Sequence, residues 1–130
     1  MNKGYIALIS ILIIGAVVLA ISIGISLRSI GETKMALAEQ LSSKALALAD
    51  ACAERALEKL KEDLNYSGNE TIIIDGNNPC DVLATEGSDN NNRIVKTQAT
   101  SSGYVRKIKI YIAVVNPEMQ FNYWNEVADF

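Results

Sequence analysis

Residues 1–28 read MNKGYIALISILIIGAVVLAISIGISLR, and no charged residue lies between Lys3 and Arg28. A helix of about 20 apolar residues crosses the hydrocarbon core of a membrane, and Tyr5 to Leu27 supplies about 23. Ile, Leu and Val dominate this stretch, and each favours insertion by about 0.3–0.6 kcal/mol at the membrane centre. Because a helix satisfies its own backbone polar groups, it is the structure that lipid permits. The sequence therefore predicts a transmembrane helix over residues 5–28.

The residues in front of this helix, 1–4, differ from an ordinary secretory signal. Such a signal has a longer basic region, a shorter apolar run and a small-residue cleavage site behind that run. Here Gly4 precedes the apolar run, so cleavage after it would leave the whole helix on the mature protein. Because this leader is short, we expect the N-terminus in the cytoplasm and the C-terminal domain outside, in a single-pass inner membrane protein.

Residues 29–65 continue as a helix that is apolar on one side only. They are rich in Ala, Leu, Glu and Lys, which are strong helix formers. Apolar residues recur at steps of three or four and therefore share one face. This stripe contains Leu37, Leu41, Ala45, Leu48, Cys52, Ala56 and Leu60, and is widened by Ala49, Ala53, Leu57 and Leu64. The turn-forming residues 65–69 are expected to end the helix.

Residues 66–130 have the pattern of an antiparallel sheet with a C-terminal tail. Four short runs, at 71–75, 80–85, 93–100 and 104–115, are separated by turns rich in Gly, Asn and Ser. In the longest run, alternation places Ile108, Ile110, Ile112 and Val114 on one face, which predicts that this face is buried. Residues 119–127 are either an edge strand or a loose tail.

The amphipathic stripe is the only large apolar surface available to cover the Ile face of this sheet. The predicted fold is therefore α+β, with one long helix packed on about four antiparallel strands.

Cys52 and Cys80 are the only cysteines of the chain. An even count in an exported chain favours a disulfide, here between the helix and the start of the second strand. Closing the loop between Cys52 and Cys80 would stabilise the fold by roughly 3.5 kcal/mol in the chain-entropy treatment. The alternative is that Cys52 fills the stripe as a small hydrophobic residue.

The composition gives no support for catalysis. The chain has no His, which removes the commonest general base and a frequent metal ligand. The Asp- and Asn-rich turns do not match the spacing of a calcium loop, so we expect no catalytic residues, no metal and no cofactor. The net charge is -3 without a basic patch, so no nucleic acid partner is expected.

Two further patterns lie outside the predicted helix. The sequons Asn65-Tyr66-Ser67 and Asn69-Glu70-Thr71 would be exposed enough for glycosylation in a host that performs it. An aromatic cluster near the C-terminus is interpreted either as core or edge packing or as a patch that docks a partner; its members are Phe121, Tyr123, Trp124 and Phe130.

The N-terminal residues resemble the class III signal of type IV pilins and pseudopilins. The resemblance lies in Lys3-Gly4, the aromatic Tyr5 and the unbroken apolar helix. The Ala-rich amphipathic continuation, the short strands and the cysteine pair are similar to that family's lollipop fold. The resemblance implies cleavage by prepilin peptidase between Gly4 and Tyr5, N-methylation of Tyr5, and a fibre with the N-terminal helices at its centre. The implied partners are other pilin or pseudopilin subunits, prepilin peptidase, an inner-membrane assembly platform and membrane lipid.

One position departs from the family's pattern. Most major pilins carry Glu at the fifth mature position, where this chain has Ile9. In the family that carboxylate is thought to pair with the N-terminal amine of a neighbouring subunit during assembly. Its absence is similar to minor pseudopilins at fibre tips and to some minor pilins. The resemblance therefore implies a non-enzymatic minor subunit of a type IV pilus or a type II secretion-like fibre.

The small residues of the apolar helix fit this interpretation. Gly15, Ala16, Ala20 and Gly24 would allow sister helices to approach closely and to replace the surrounding lipid. Two alternatives remain. One is a single-pass anchor carrying an extracytoplasmic binding module that does not polymerise, and the other is a secreted protein cleaved after Ala20.

Overall fold

A single 60-residue α-helix, α1 (Lys3–Glu62), begins the chain in the computed structural model, which describes residues 3–130. Met1 and Asn2, which belong to the expected leader, lie outside the described residues. The chain forms two compact units, and the boundary between them falls within α1, after Ala38.

The first unit contains the apolar part of α1. Its large apolar side chains from Tyr5 to Leu27 are 39% to 69% exposed. Among the described residues, α1 is the one helix long and apolar enough to cross a membrane. Such a continuous apolar surface does not remain in contact with water in a stable protein. This unit therefore has the character of a membrane anchor or signal.

The second unit, Glu39–Phe130, is called the sheet domain below. After α1 it contains a five-stranded sheet in the order β1-β2-β3-β4-β5, in which each strand pairs antiparallel with the next. The strands are β1 (Glu70–Asp75), β2 (Asn78–Val82), β3 (Asn91–Ser101), β4 (Tyr104–Val114) and β5 (Gln120–Val127). The predicted α+β class is confirmed, and the uncertain segment 119–127 is a fifth strand that pairs along β4.

The core lies between the outer part of α1 and one face of the sheet. The helix contributes Ala45, Leu48, Ala49, Cys52, Ala53, Ala56, Leu57 and Leu60, and the sheet contributes Cys80, Val82, Val95, Ala99, Ile108, Ile110, Ile112 and Val115. Small residues on the helix allow its backbone to lie close to the sheet. The hydroxyl of Thr97, which is fully buried, donates a hydrogen bond of 3.0 Å to the carbonyl of Ala49.

Two details of the predicted pattern are wrong. Leu37 was expected on the buried stripe, but it is 54% exposed, and burial of the stripe begins at Ala45. Val114 was expected on the buried face, but Val115 is fully buried instead. The register of β4 against β5 shifts between Ile112 and Val114, which breaks the alternation, and the amide of Val115 donates to the carbonyl of Asn90.

Candidate functional site

The segment expected to be processed lies at the start of α1 as the structure describes it. Gly4 is helical, and a Cβ added there would meet no heavy atom within 4 Å. Tyr5 is 66% exposed. Glycine inside a helix costs about 0.5–1 kcal/mol relative to alanine. Because nothing in the fold requires a glycine at position 4, this residue is better explained by a requirement outside the fold.

The small residues expected in helix assembly also lie on open helix surface. A Cβ at Gly15 or Gly24 would meet no atom within 4 Å. At about 100° per residue, Ala16 and Ala20 lie within about 20° of Ile9 around the helix axis. Ile9 is 39% exposed. Ile9 therefore shares a face with two of the four small residues, and that face is free to meet a neighbouring helix.

The polar groups within the apolar stretch are satisfied by the helix itself. The hydroxyls of Ser10, Ser22 and Ser26 donate hydrogen bonds of 2.9, 2.8 and 2.9 Å to carbonyls four residues earlier. Such bonds lower the cost of placing serine in lipid or against another apolar helix. The apolar stretch thus presents no unsatisfied serine hydroxyl to its surroundings.

The disulfide expected between Cys52 and Cys80 is present, with a Cα–Cα distance of 6.0 Å. Both residues are buried, at 0% and 1% exposure. The bond joins α1 to β2 across the core of the sheet domain. Because disulfides persist in oxidising compartments, it suggests that this domain lies outside the cytoplasm.

A groove of about 420 Å³ lies between α1 and the first half of β5. Its apolar surface comes from Leu57, Met119, Phe121 and Trp124, and its charged rim comes from Glu54, Glu58 and Lys61. The indole nitrogen of Trp124 donates to Asp50 at 3.0 Å, and the rings of Phe121 and Trp124 meet edge to face with their centroids 5.8 Å apart. These contacts fix the two aromatic side chains against the helix.

The C-terminal aromatic residues do not form one cluster. Trp124 and Phe121 lie on the helix side of the sheet, whereas Tyr123 pairs with Tyr111, at 4.2 Å between ring centroids. The ring of Phe130 lies under the ammonium group of Lys107 at 5.3 Å. Alternation along β5 sends the adjacent residues Tyr123 and Trp124 to opposite faces. The pairing of β5 with β4 shifts by one residue between Tyr123 and Phe121, so Phe121 lies on the same side as Trp124.

Arg93, which the sequence did not single out, is 3% exposed on β3. Its guanidinium donates to four backbone carbonyls, which belong to Leu64, Tyr66, Glu86 and Asp89. It therefore holds the turn after α1 against the loop before β3. A buried arginine is hard to infer from sequence because its partners are backbone atoms.

A second polar network joins the last turn of α1 to β1. The ammonium of Lys59 lies 2.7 Å and 2.8 Å from the two carboxylate oxygens of Glu70, and the hydroxyl of Tyr66 also donates to Glu70. The hydrogen bonds from Lys59 and Tyr66 lower the pKa of the Glu70 carboxyl. Burial and the bond to Glu70 raise the pKa of the Tyr66 hydroxyl well above its usual range.

The chain matches no protein-family model, no curated protein and no solved structure. Its architecture, a long apolar N-terminal helix and a disulfide-linked, five-stranded antiparallel sheet, is pilin-like.

Proposed function

We propose that the protein is a non-enzymatic minor pilin or pseudopilin subunit. It is processed after Gly4 and assembles through its apolar helix into a type IV pilus or a type II secretion-like fibre. The observation that carries the proposal is the exposed apolar surface of α1 from Tyr5 to Leu27, on a chain whose second unit is a disulfide-linked sheet domain.

Assembly provides a physical reason for this surface. In a membrane, acyl chains cover the Ile, Leu and Val side chains of the helix. Leaving the membrane would expose them to water, which costs about 25 cal/mol of free energy for each Å² of apolar surface. Helices of sister subunits offer an equivalent apolar environment. The exposed Ala16 and Ala20 and the open space at Gly24 support close helix contacts of this kind.

Ile9 supports a minor role within the fibre. It lies on the same helix face as Ala16 and Ala20, where a neighbouring helix would pack. An isoleucine there supplies apolar contact but no charge to attract the terminal amine of another subunit. A subunit of this type suits a tip position, where no such pairing is needed.

The proposed partners follow from this role. They are sister pilin or pseudopilin subunits, the prepilin peptidase that cleaves before Tyr5, the inner-membrane assembly platform and membrane lipid. Before assembly, the protein would be a single-pass inner membrane protein with its sheet domain outside. The proposed role requires no bound cofactor.

The start of the mature chain tests the proposal. Protein extracted from membranes of cells that contain prepilin peptidase is sequenced from its N-terminus. A start at Tyr5, with a methylated amine detected by mass spectrometry, is the expected result. A start at Met1 would instead identify a permanent anchor, and a start at Ile21 a secreted protein; either would contradict the proposal.

The groove beside Trp124 favours a second candidate function. A membrane-anchored binding module that does not polymerise would use such a groove, which has an apolar floor and a charged rim. Recovery of the protein in sheared surface fibres separates the two functions. A fibre subunit appears in that fraction, whereas a permanently anchored module stays with the membrane.

A further inference from the structure

The turn that follows α1 contains two sequons that the proposed function does not use. Asn65-Tyr66-Ser67 lies between the end of α1 at Glu62 and the start of β1 at Glu70. Asn69-Glu70-Thr71 runs into β1. Both asparagines are exposed. The pattern Asn-X-Ser/Thr is the acceptor for N-linked oligosaccharides, and modification requires that the asparagine amide and the hydroxyl both be reachable.

The second sequon is fixed in the sheet. The hydroxyl of Thr71 donates a hydrogen bond of 2.7 Å to Asp81, its register partner on β2. The middle residue, Glu70, is bound by Lys59 and Tyr66. The backbone of Asn69 has a positive φ of 55°. A transferase would have to break the bond between Thr71 and Asp81 before it could use this hydroxyl.

The first sequon also has a fixed middle residue, because the Tyr66 hydroxyl donates to Glu70 and the Tyr66 carbonyl accepts from Arg93 and Thr85. It differs from the second sequon in its hydroxyl. Asn65 and Ser67 are both exposed, and the segment between Glu62 and Glu70 belongs to neither helix nor strand. At Asn65 the backbone amide, rather than the side chain, bonds to Asp63, at 2.9 Å. By contrast, the side-chain amides of Asn78, Asn90 and Asn116 donate to backbone carbonyls of the fold. Within residues 3–130, neither the side-chain nitrogen of Asn65 nor the hydroxyl of Ser67 makes a hydrogen bond, and both residues are exposed.

From the difference between the exposed hydroxyl of Ser67 and the bonded hydroxyl of Thr71, we propose that Asn65 is an N-glycosylation site and that Asn69 is not. The donor is an oligosaccharide linked to a lipid pyrophosphate. Nδ2 of Asn65 forms a bond to the anomeric carbon of the sugar while the bond from that carbon to the pyrophosphate oxygen breaks. The lipid pyrophosphate leaves with the electron pair, and the amide proton passes to a base of the transferase.

The site is independent of fibre assembly, because it requires only that the sheet domain be outside the cytoplasm. The disulfide between Cys52 and Cys80 supports that location. An oligosaccharide at Asn65 would project from the turn that Arg93 holds in place. Its attachment would not disturb the core, because Asn65 is exposed.

The test uses the full chain purified from membranes of its native cells. After reduction, trypsin releases residues 62–93 as one peptide, which contains both sequons. Mass spectrometry is expected to find this peptide heavier by the mass of an oligosaccharide. The increment should be lost in Asn65→Gln and in Ser67→Ala, and kept in Ser67→Thr and in the matched control Asn69→Gln.

An unmodified peptide 62–93 from native cells would overturn the proposal. So would an increment that survives Asn65→Gln and disappears in Asn69→Gln. The variants change exposed side chains, and the circular dichroism spectrum and melting temperature of each variant show whether the domain is still folded.

Discussion

The indole nitrogen of Trp124 donates a hydrogen bond to the carboxylate of Asp50, 3.0 Å away. This contact joins β5, the last strand of the sheet, to α1 across 74 positions of sequence. β5 is an edge strand that pairs only with β4 in the described sheet. The Trp124–Asp50 contact therefore connects the edge of the sheet to the helix, and Trp124 lines the groove.

The first prediction concerns the strength of this contact. Trp124→Phe should lower the free energy of unfolding of a soluble fragment, residues 29–130, by about 1–2 kcal/mol, because a hydrogen bond to a charged acceptor is lost. Asp50→Ala should have a similar effect. Urea unfolding of both single variants and the double variant gives the coupling energy. Single effects that add within about 0.3 kcal/mol in the double variant would show that the bond contributes nothing.

The second prediction concerns the disulfide. Replacing both cysteines, as Cys52→Ala with Cys80→Ala, should destabilise the same fragment by about 2–5 kcal/mol, because the unfolded chain regains the freedom of the open loop. Reduction of the wild-type fragment is the control, since it removes the bond without changing side-chain volume. A reduced fragment that melts at the same temperature as the oxidised one would contradict the prediction.

The third prediction concerns Glu70. Its pKa is lowered in the folded protein by hydrogen bonds from Lys59 and Tyr66, so the folded state binds the proton less readily than the unfolded state does. The resulting stability is present above the unfolded pKa of about 4.3 and is lost as the pH falls through the lower folded value.

Stability curves measured from about pH 6 downward should therefore differ between wild type and Glu70→Gln. The advantage of the wild type should shrink as the pH falls. Lys59→Met, which removes the principal hydrogen-bond partner, should reduce the same advantage. A wild-type advantage that stays constant down to about pH 2 would exclude this linkage.

These contacts show why the sequence predicted the helix and the main core but not the polar contacts. Cys52 lies on the buried stripe because its spacing from Leu48 and Ala56 is helical, and that regularity can be read locally. Arg93 and Asp50 acquire their partners only after turns and strand register bring distant segments together. The burial of Val115 depends in the same way on a register shift between β4 and β5, which alternation along one strand does not reveal.

The fourth prediction concerns processing. Gly4→Leu should block maturation without preventing membrane insertion, because the added side chain obstructs the approach of a protease to the backbone after residue 4. Gly15→Leu is the matched control: it is also a helical glycine with open space around it. Mass spectrometry of membrane-extracted protein measures both. A Gly4→Leu protein of normal mature mass would contradict the proposed cleavage.

The last prediction concerns Ile9 and the position of the subunit. An ionised carboxylate in its place would cost roughly 2.5–3.5 kcal/mol near the membrane centre and less near the membrane surface. Within a fibre, pairing with a neighbour's terminal amine would offset that cost. At the tip there is no neighbour to pair with. If the subunit lies at the tip, Ile9→Glu should give no gain in incorporation and should slow insertion, whereas the uncharged control Ile9→Gln should insert more readily. The position is measured by immunogold labelling of tagged subunits on sheared fibres, and label at one end only is the expected result. Label along the whole length, with more label for Ile9→Glu, would place the subunit in the fibre interior instead.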